Sequence, residues 1–277
     1  MCGFSGIISK KKLPNTDFLN KSKKYIQNRG PDAFEICQYK RNNNDFYFNH
    51  ARLSIIDLQE SSNQPFEKDG YTLVFNGEIY NYKEIKEKLI IRGADFLTNS
   101  DTEVILESYK AWGIECLQQF IGMFAFVLHD IKNDKLILTR DRAGVKPLYY
   151  YVDEETIVFS SDQYALKYLS RKQFDLNLNS VKRFFQVGYC DNNNTYFQNV
   201  NKVESGSYIS VELDNFKYTK NIYWNPLNFF HQKNQQSENE IIDSLEDILT
   251  SSFNYRMVSD VPVGVFLSAG LDSASVM

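Results

Sequence analysis

Cysteine is scarce and scattered. The 277 residues hold four, at positions 2, 37, 116 and 190, with no C-x-x-C pair and no histidine close by to complete a metal set. That spacing suits neither a disulfide framework nor a zinc site. A basic excess is missing too: 31 Lys and Arg stand against 35 Asp and Glu, for a net charge of −4. Phosphate neutralisation needs the opposite balance, which argues against a nucleic-acid-binding surface. No apolar run approaches the ~20 residues that span a bilayer. The N-terminus lacks a basic stretch leading into an apolar core, so it does not read as a signal peptide. With 43% hydrophobic and 24% charged residues, the chain reads as a globular protein of the cytoplasm.

What is present in the first half alternates short β-like runs with blocks of helix. Residues 3–9, 34–39, 46–55 and 72–75 read as strands. A helix is expected at 17–28 with Asp17 near its cap. Two more are expected at 82–91 and 102–112, the latter opened by a Ser100-x-x-Glu103 capping box. Strands follow at 123–130, 136–139, 148–152 and 156–159. Short helices at 164–169 and 180–186 precede a hairpin over 207–223. Runs of asparagine at 42–44 and 192–194 read as loop tips. Strict βαβ alternation is absent, so the pattern predicts α+β layers, sheet against sheet with helices outside. Residues 225–237, polar and carrying Pro226, read as a linker. Beyond it 238–256 predicts an amphipathic helix with Ile241, Leu245, Ile248, Leu249 and Phe253 on one face. The continuous apolar run 261–267 predicts a strand buried on both faces.

Of the four cysteines, Cys37 and Cys116 read as structural, whereas Cys2 is placed for chemistry. A small second residue permits removal of Met1, which leaves Cys2 carrying a free α-amino group. Such an amine titrates near ~7.7–8.0 and a thiol near ~8.5. Base and nucleophile can then reside on one residue.

The start Cys2-Gly3-Phe4-Ser5-Gly6-Ile7 does not stand alone. It is followed in order by Arg29-Gly30-Pro31-Asp32, by His50-Ala51-Arg52-Leu53-Ser54-Ile55-Ile56-Asp57-Leu58 and by Asn63-Gln64-Pro65-Phe66. Next come Phe75-Asn76-Gly77-Glu78-Ile79-Tyr80-Asn81-Tyr82, Ser100-Asp101-Thr102-Glu103, Gly122-Met123-Phe124-Ala125-Phe126 and Asp141-Arg142-Ala143-Gly144-Val145-Lys146-Pro147-Leu148-Tyr149. This series resembles the class II glutamine amidotransferases, and in particular the glutamine-hydrolysing asparagine synthetases. The resemblance covers essentially the whole chain. It implies a four-layer αββα N-terminal-nucleophile domain over 2–224, a linker over 225–237 and, over 238–277, the incomplete start of an α/β ATP-pyrophosphatase-type synthetase domain.

The resemblance also assigns roles. Cys2 would attack the side-chain amide of glutamine, and the Asn76 amide with the Gly77 backbone N–H would hold the oxyanion. The fork of Arg52 would take the α-carboxylate, and Glu78 and Asp101 the α-ammonium group. Backbone atoms of Leu53, Ser54, Ile55 and Ile56 would line the pocket. His50 is expected to be structural, because the α-amino group already fills the role of base. Arg29, Asp141, Arg142 and Lys146 are expected to fix loops near the site.

At the other end Ser268-Ala269-Gly270-Leu271-Asp272-Ser273 resembles the SGGxDS pyrophosphate loop of ATP pyrophosphatases, with Ala269 in place of the first glycine of the pair. The likeness implies that Leu267, Ser268, Gly270, Asp272 and Ser273 would meet ATP. ATP and Mg²⁺ would serve only the full synthetase reaction with aspartate, and glutamine hydrolysis would need no cofactor and no metal. The resemblance implies a partnership with a separate synthetase polypeptide that supplies the missing half, or a homodimer. The sequence leaves two alternatives open: a relative that amidates another carboxylate, such as a sugar acid, and a non-catalytic product of a split gene.

Overall fold

A computed structural model describes residues 1–190, 193–230 and 236–276. Asn192 of the second predicted loop tip, residues 231–235 of the linker and Met277 lie outside the described residues. One six-stranded antiparallel sheet contains β1 (Gly3–Ser9), β2 (Ala33–Arg41), β3 (Asn44–Arg52), β8 (Tyr149–Val152), β9 (Thr156–Ser160) and β10 (Asn201–Lys202), in the order β10-β8-β9-β1-β3-β2. The second contains β4 (Phe66–Lys68), β5 (Tyr71–Ile79), β6 (Gly122–Asp130), β7 (Lys135–Arg140), β11 (Ser207–Glu212) and β12 (Tyr218–Ile222), in the order β12-β11-β7-β6-β5-β4.

Alternation along the strands explains the layering. Even-numbered Phe4 and Ile8 of β1, Phe46 and Phe48 of β3 and Val74 of β5 share one core with Val127, Leu138 and Phe159, packed between the two sheets. The odd positions face outward. Leu73 and Phe75 of β5 pack against α3 (Tyr82–Ile91) and α4 (Asp101–Trp112), through Ile85, Leu89, Val104 and Ile105. Ile7 of β1 and Tyr47 of β3 pack against α1 (Thr16–Asn20) and α5 (Gln163–Ser170), through Leu19, Leu166 and Leu169. The chain is therefore an α+β fold with helices on the outer face of each sheet. Parity also aims Cys2, Arg52 and Asn76 into the space between the sheets, at the end where β1 begins and β3 and β5 finish.

Several elements depart from expectation. The helix expected at 17–28 is α1, then α2 (Lys23–Ile26), then a 3₁₀ turn at Gln27–Arg29. Ser22 divides it: its hydroxyl donates to the Leu19 carbonyl at 2.7 Å and accepts from Asn49 Nδ2 at 2.8 Å, so the backbone leaves the helix there. Asn15, and not Asp17, caps α1. The Ser100–Glu103 capping box does not form. Ser100 Oγ accepts from the Thr102 N–H, while Glu103 turns away to the amides of Leu97 and Thr98 and to Lys68 Nζ at 2.8 Å. Strand β3 ends at Arg52 rather than at 55, and β5 runs on to Ile79. The first asparagine run is a turn, with Asn42 and Asn43 at positive φ and Asn44 already in β3.

After β12 the chain makes a 3₁₀ turn at Pro226–Phe229, inside the expected linker. Helix α6 (Leu178–Val187) precedes the hairpin, and α7 (Glu238–Arg256) and α8 (Leu271–Ser275) follow it. The run 261–267 is not a strand. Among the described residues no strand pairs with it, and Phe266 is fully exposed. An extended segment without a ladder partner leaves its backbone groups to water and gains no sheet. No helix among the described residues is long and apolar enough to cross a membrane.

Candidate active site

Strand pairing brings the distant motifs together. Gly3 of β1 lies opposite Ala51 of β3, so Cys2 arrives beside Arg52 and Leu53. The Leu53 N–H donates to Cys2 Sγ at 3.3 Å, and Sγ lies 3.6 Å from the Leu53 carbonyl oxygen. Burial pushes the Cys2 thiol up, and the Leu53 N–H pulls it part of the way back. Arg29 Nε donates to the Cys2 carbonyl at 3.0 Å, holding the start of the chain in place. Gly30 lies so close to β3 that a Cβ would sit 2.1 Å from the Ala51 carbonyl oxygen. The following residue pair completes the clamp: the Asp32 N–H donates to the Arg52 carbonyl at 3.0 Å, and Asp32 Oδ2 accepts from the Ser54 N–H at 2.7 Å.

A cleft opens at this point, lined by Met1, Cys2, Arg52, Leu53, Ile55, Ile56, Gln64, Phe75, Asn76, Gly77, Glu78, Ser100, Asp101, Thr102 and Lys146. Ser54, expected in the lining, is not there; its amide is committed to Asp32. Asn76 is fully buried, and neither its Oδ1 nor its Nδ2 has a hydrogen-bond partner among the described residues. Leaving a buried polar group unsatisfied costs about 1–3 kcal/mol. An amide unsatisfied at both ends, inside a cleft, calls for an explanation that its protein neighbours do not supply. Gly77 has φ +151°, and a Cβ there would meet the Met123 carbonyl oxygen at 2.0 Å. Glycine is therefore required by the β5–β6 pairing itself.

Arg52 is buried, but its fork is not free. Nη1 donates to the Gln59 carbonyl and to Asn63 Oδ1, both at 2.8 Å. Nη2 donates to the carbonyls of Ile56, at 3.3 Å, and Asp57. All four Nη hydrogens of the fork are thereby committed to the 56–63 segment. Asp101 caps the far side, with Oδ2 accepting from the Ile79 N–H at 3.0 Å. Burial, opposed by that N–H and reinforced by the Glu78 charge, lifts its carboxyl to about 7. Burial also raises Glu78 and lowers Lys146, and the attraction between the two offsets both shifts.

His50 is buried, holds the Phe75 carbonyl through Nε2 at 2.9 Å, and is lowered by burial to about 4. It is not part of the cleft lining. Asp141 folds the turn after β7 by accepting from the amides of Ala143, Val145 and Lys146. Lys146, expected to fix a loop near the site, thereby reaches the cleft lining itself, a place the expectation did not give it. Gln64 was likewise missed: Oε1 accepts from the Phe75 N–H at 2.6 Å and Nε2 donates to Thr102 Oγ1 at 3.1 Å, tying β5 to α4. Its place in the Asn63-Gln64-Pro65-Phe66 motif was the available signal.

The C-terminal loop is separate from this cleft. Ser273 Oγ donates to the carbonyls of Ser268 and Gly270, the Ser268 N–H donates to Ser273 Oγ, and the two hydroxyls lie 2.8 Å apart. Leu267 and Leu271 are exposed. The loop closes on itself, and α8 behind it is only five residues long.

Residues 1–224 match the family described as a glutamine amidotransferase domain, and residues 244–277 match that described as asparagine synthase. A putative glutamine-hydrolysing asparagine synthetase 2 of Methanocaldococcus jannaschii is 35% identical over all of this chain and 56% of its own length. Glutamine-hydrolysing asparagine synthetase 1 of Bacillus subtilis is 33% identical over all of this chain and 43% of its own. A protein of Gibberella zeae named amidase chry2 is 34% identical over all of this chain and 42% of its own. The chain thus spans about half the length of the curated relatives it matches. Among solved structures, the glutamine phosphoribosylpyrophosphate amidotransferase of B. subtilis superposes with a TM-score of 0.56 at 19% identity, covering 80% of this chain and 49% of that one. The fold is shared with that enzyme, and the match over 1–224 establishes that this chain belongs to the glutamine amidotransferase family.

Proposed function

We propose that this chain is the glutaminase part of a glutamine-hydrolysing asparagine synthetase, with Cys2 as its nucleophile. The buried, unpartnered amide of Asn76 in the same cleft as Cys2 carries the reading. Removal of Met1 would free the Cys2 amine and clear the Met1 side chain from the cleft. Burial already holds the Met1 amine below its ordinary value, and an amine on Cys2 would act as base within the same cleft.

The amine takes the thiol proton as sulfur attacks the side-chain amide carbon of glutamine. The tetrahedral oxyanion is received by Asn76 Nδ2 and the Gly77 N–H. As the intermediate collapses, the ammonium on Cys2 returns the proton to the leaving nitrogen, ammonia departs, and a γ-glutamyl thioester remains on Cys2. Water then cleaves the thioester, giving glutamate and the free thiol. Arg52 serves the α-carboxylate through its charge, and Asp101 with Glu78 serves the α-ammonium group.

The match of 244–277 and the names of two relatives support aspartate as the acceptor, with ATP and Mg²⁺ used in that step and not in hydrolysis. In this reading 2–224 is the glutaminase domain, 225–237 the linker and 238–277 the start of the synthetase domain, and the enzyme works in the cytoplasm. The acceptor is tested on a protein that includes a complete synthetase half: with ammonia, ATP and aspartate it should release asparagine, and amidation of a sugar acid instead would overturn aspartate as the acceptor.

Cys2→Ala tests the central reading. It should abolish glutamate release from glutamine while leaving the melting temperature unchanged, because it removes a nucleophile and not a packing group. Undiminished turnover in the purified variant would refute it.

A further inference from the structure

Beyond α7 the chain returns to the glutaminase cleft before it reaches the 268–273 loop. Val258 packs against the core that lies between the second sheet and α3 and α4. Two residues on, the Asp260 N–H donates to the Ile55 carbonyl at 2.9 Å, and Asp260 Oδ2 accepts from the Asp57 N–H at 2.7 Å. The turn 55–57 is the one whose next two carbonyls, of Ile56 and Asp57, receive Arg52 Nη2. It is therefore gripped from both sides, by Arg52 within the cleft and by Asp260 from the far end of the sequence.

The turn needs that grip. Asp57 sits at φ +52°, an uncommon conformation for a residue with a side chain. Its carboxylate accepts from the Gln59 and Asn99 amides and from Ser62 Oγ, at 3.2, 2.7 and 2.8 Å. Asn99 leads directly into Ser100 and Asp101, which line the cleft. Asp57 is thus joined both to Arg52 and to the loop that presents Asp101, and its own N–H is held by Asp260.

We propose that Asp260 is a positioning residue for the glutamine pocket, fixing the 55–57 turn in the shape that orients Arg52. The proposal rests on the reading of Arg52 as the carboxylate site. Asp260 is itself exposed, so its replacement acts on the turn and not on the core. Its position between α7 and the 268–273 loop makes it a physical link from the asparagine synthase segment to the glutamine site.

Steady-state glutamine hydrolysis by the 277-residue chain lacking Met1 tests this. Asp260→Ala should raise KM for glutamine about tenfold, the worth of one hydrogen bond to a charged group, with kcat held within about twofold. Asp260→Asn, which keeps an oxygen for the Asp57 N–H, should restore most of the affinity. Tyr255→Phe removes a different contact of the same segment, Tyr255 Oη to Glu84 at 2.7 Å, and should leave KM unchanged. An unchanged KM in Asp260→Ala, while Arg52→Ala raises it, would overturn the proposal alone. An equal rise in Tyr255→Phe would also overturn it, by showing that docking in general and not this turn matters. If Arg52→Ala left KM unchanged as well, the carboxylate reading beneath the proposal would fall with it.

Discussion

Helices α4 and α7 begin alike and end differently. Both follow a serine cap, Ser100 and Ser237, and both carry apolar residues at helical spacing. Yet α4 buries every residue from Asp101 to Ser108, whereas α7 buries none of its nineteen. The contrast lies in what covers the apolar face. Strand β5 presents Leu73 and Phe75 to α4, and helix and sheet close over a shared core. The described residues offer α7 no such cover: Leu245 and Ile248 are 52% and 65% exposed. Amphipathic spacing therefore specifies a helix that needs a partner face, and says nothing of where that face is.

The contrast extends to chemistry, since the buried region holds unsatisfied polar groups that the exposed one could not. Asn76→Ala should lower kcat by about 10²–10³, the usual loss for one oxyanion donor, with little change in KM. Arg52→Ala should do the reverse and act chiefly on KM. The same pattern in both variants would break the division of labour between them.

Stability should show the contrast directly. Leu106 of α4 is fully buried, and Leu106→Ala should cost about 2–5 kcal/mol in denaturant unfolding. Leu245→Ala on α7 should stay within about 0.5 kcal/mol. Equal losses would mean that α7 is covered in solution.

A smaller effect concerns pH. In the proposed reading glutamine's ammonium group favours ionised Asp101, whose carboxyl is raised by burial to about 7. Binding should therefore tighten as pH rises towards 7 and level off above it, with KM climbing as pH falls below that value. Asp101→Asn should bind more weakly and lose this dependence. A dependence that survives the substitution would assign it to another group.

Much of this was legible in the sequence because it is local or ordered. Strands with helices grouped in blocks predicted the α+β layers, and the family resemblance implied that Cys2, Asn76 and Asp101 share one pocket, whose lining holds all three. What could not be read depends on contacts far apart in the chain. Glu103 abandons its capping box because Lys68, on another element, draws it away. The 17–28 helix breaks because Asn49 of β3 reaches the hydroxyl of Ser22. The fork of Arg52 is committed to the carbonyls of a turn that Asp260 braces from beyond α7, a relation no spacing rule contains. The strand expected at 261–267 failed for the converse reason, since an apolar run becomes a strand only beside another.

The central claim is that the nucleophile is an N-terminal Cys2, and intact-mass analysis paired with a glutaminase assay tests it most directly. The active chain should begin at Cys2, and acid-quenching during turnover should trap a γ-glutamyl group on the Cys2 peptide. A chain that hydrolyses glutamine with Met1 still attached, or that carries the glutamyl group on a different residue, would contradict the account.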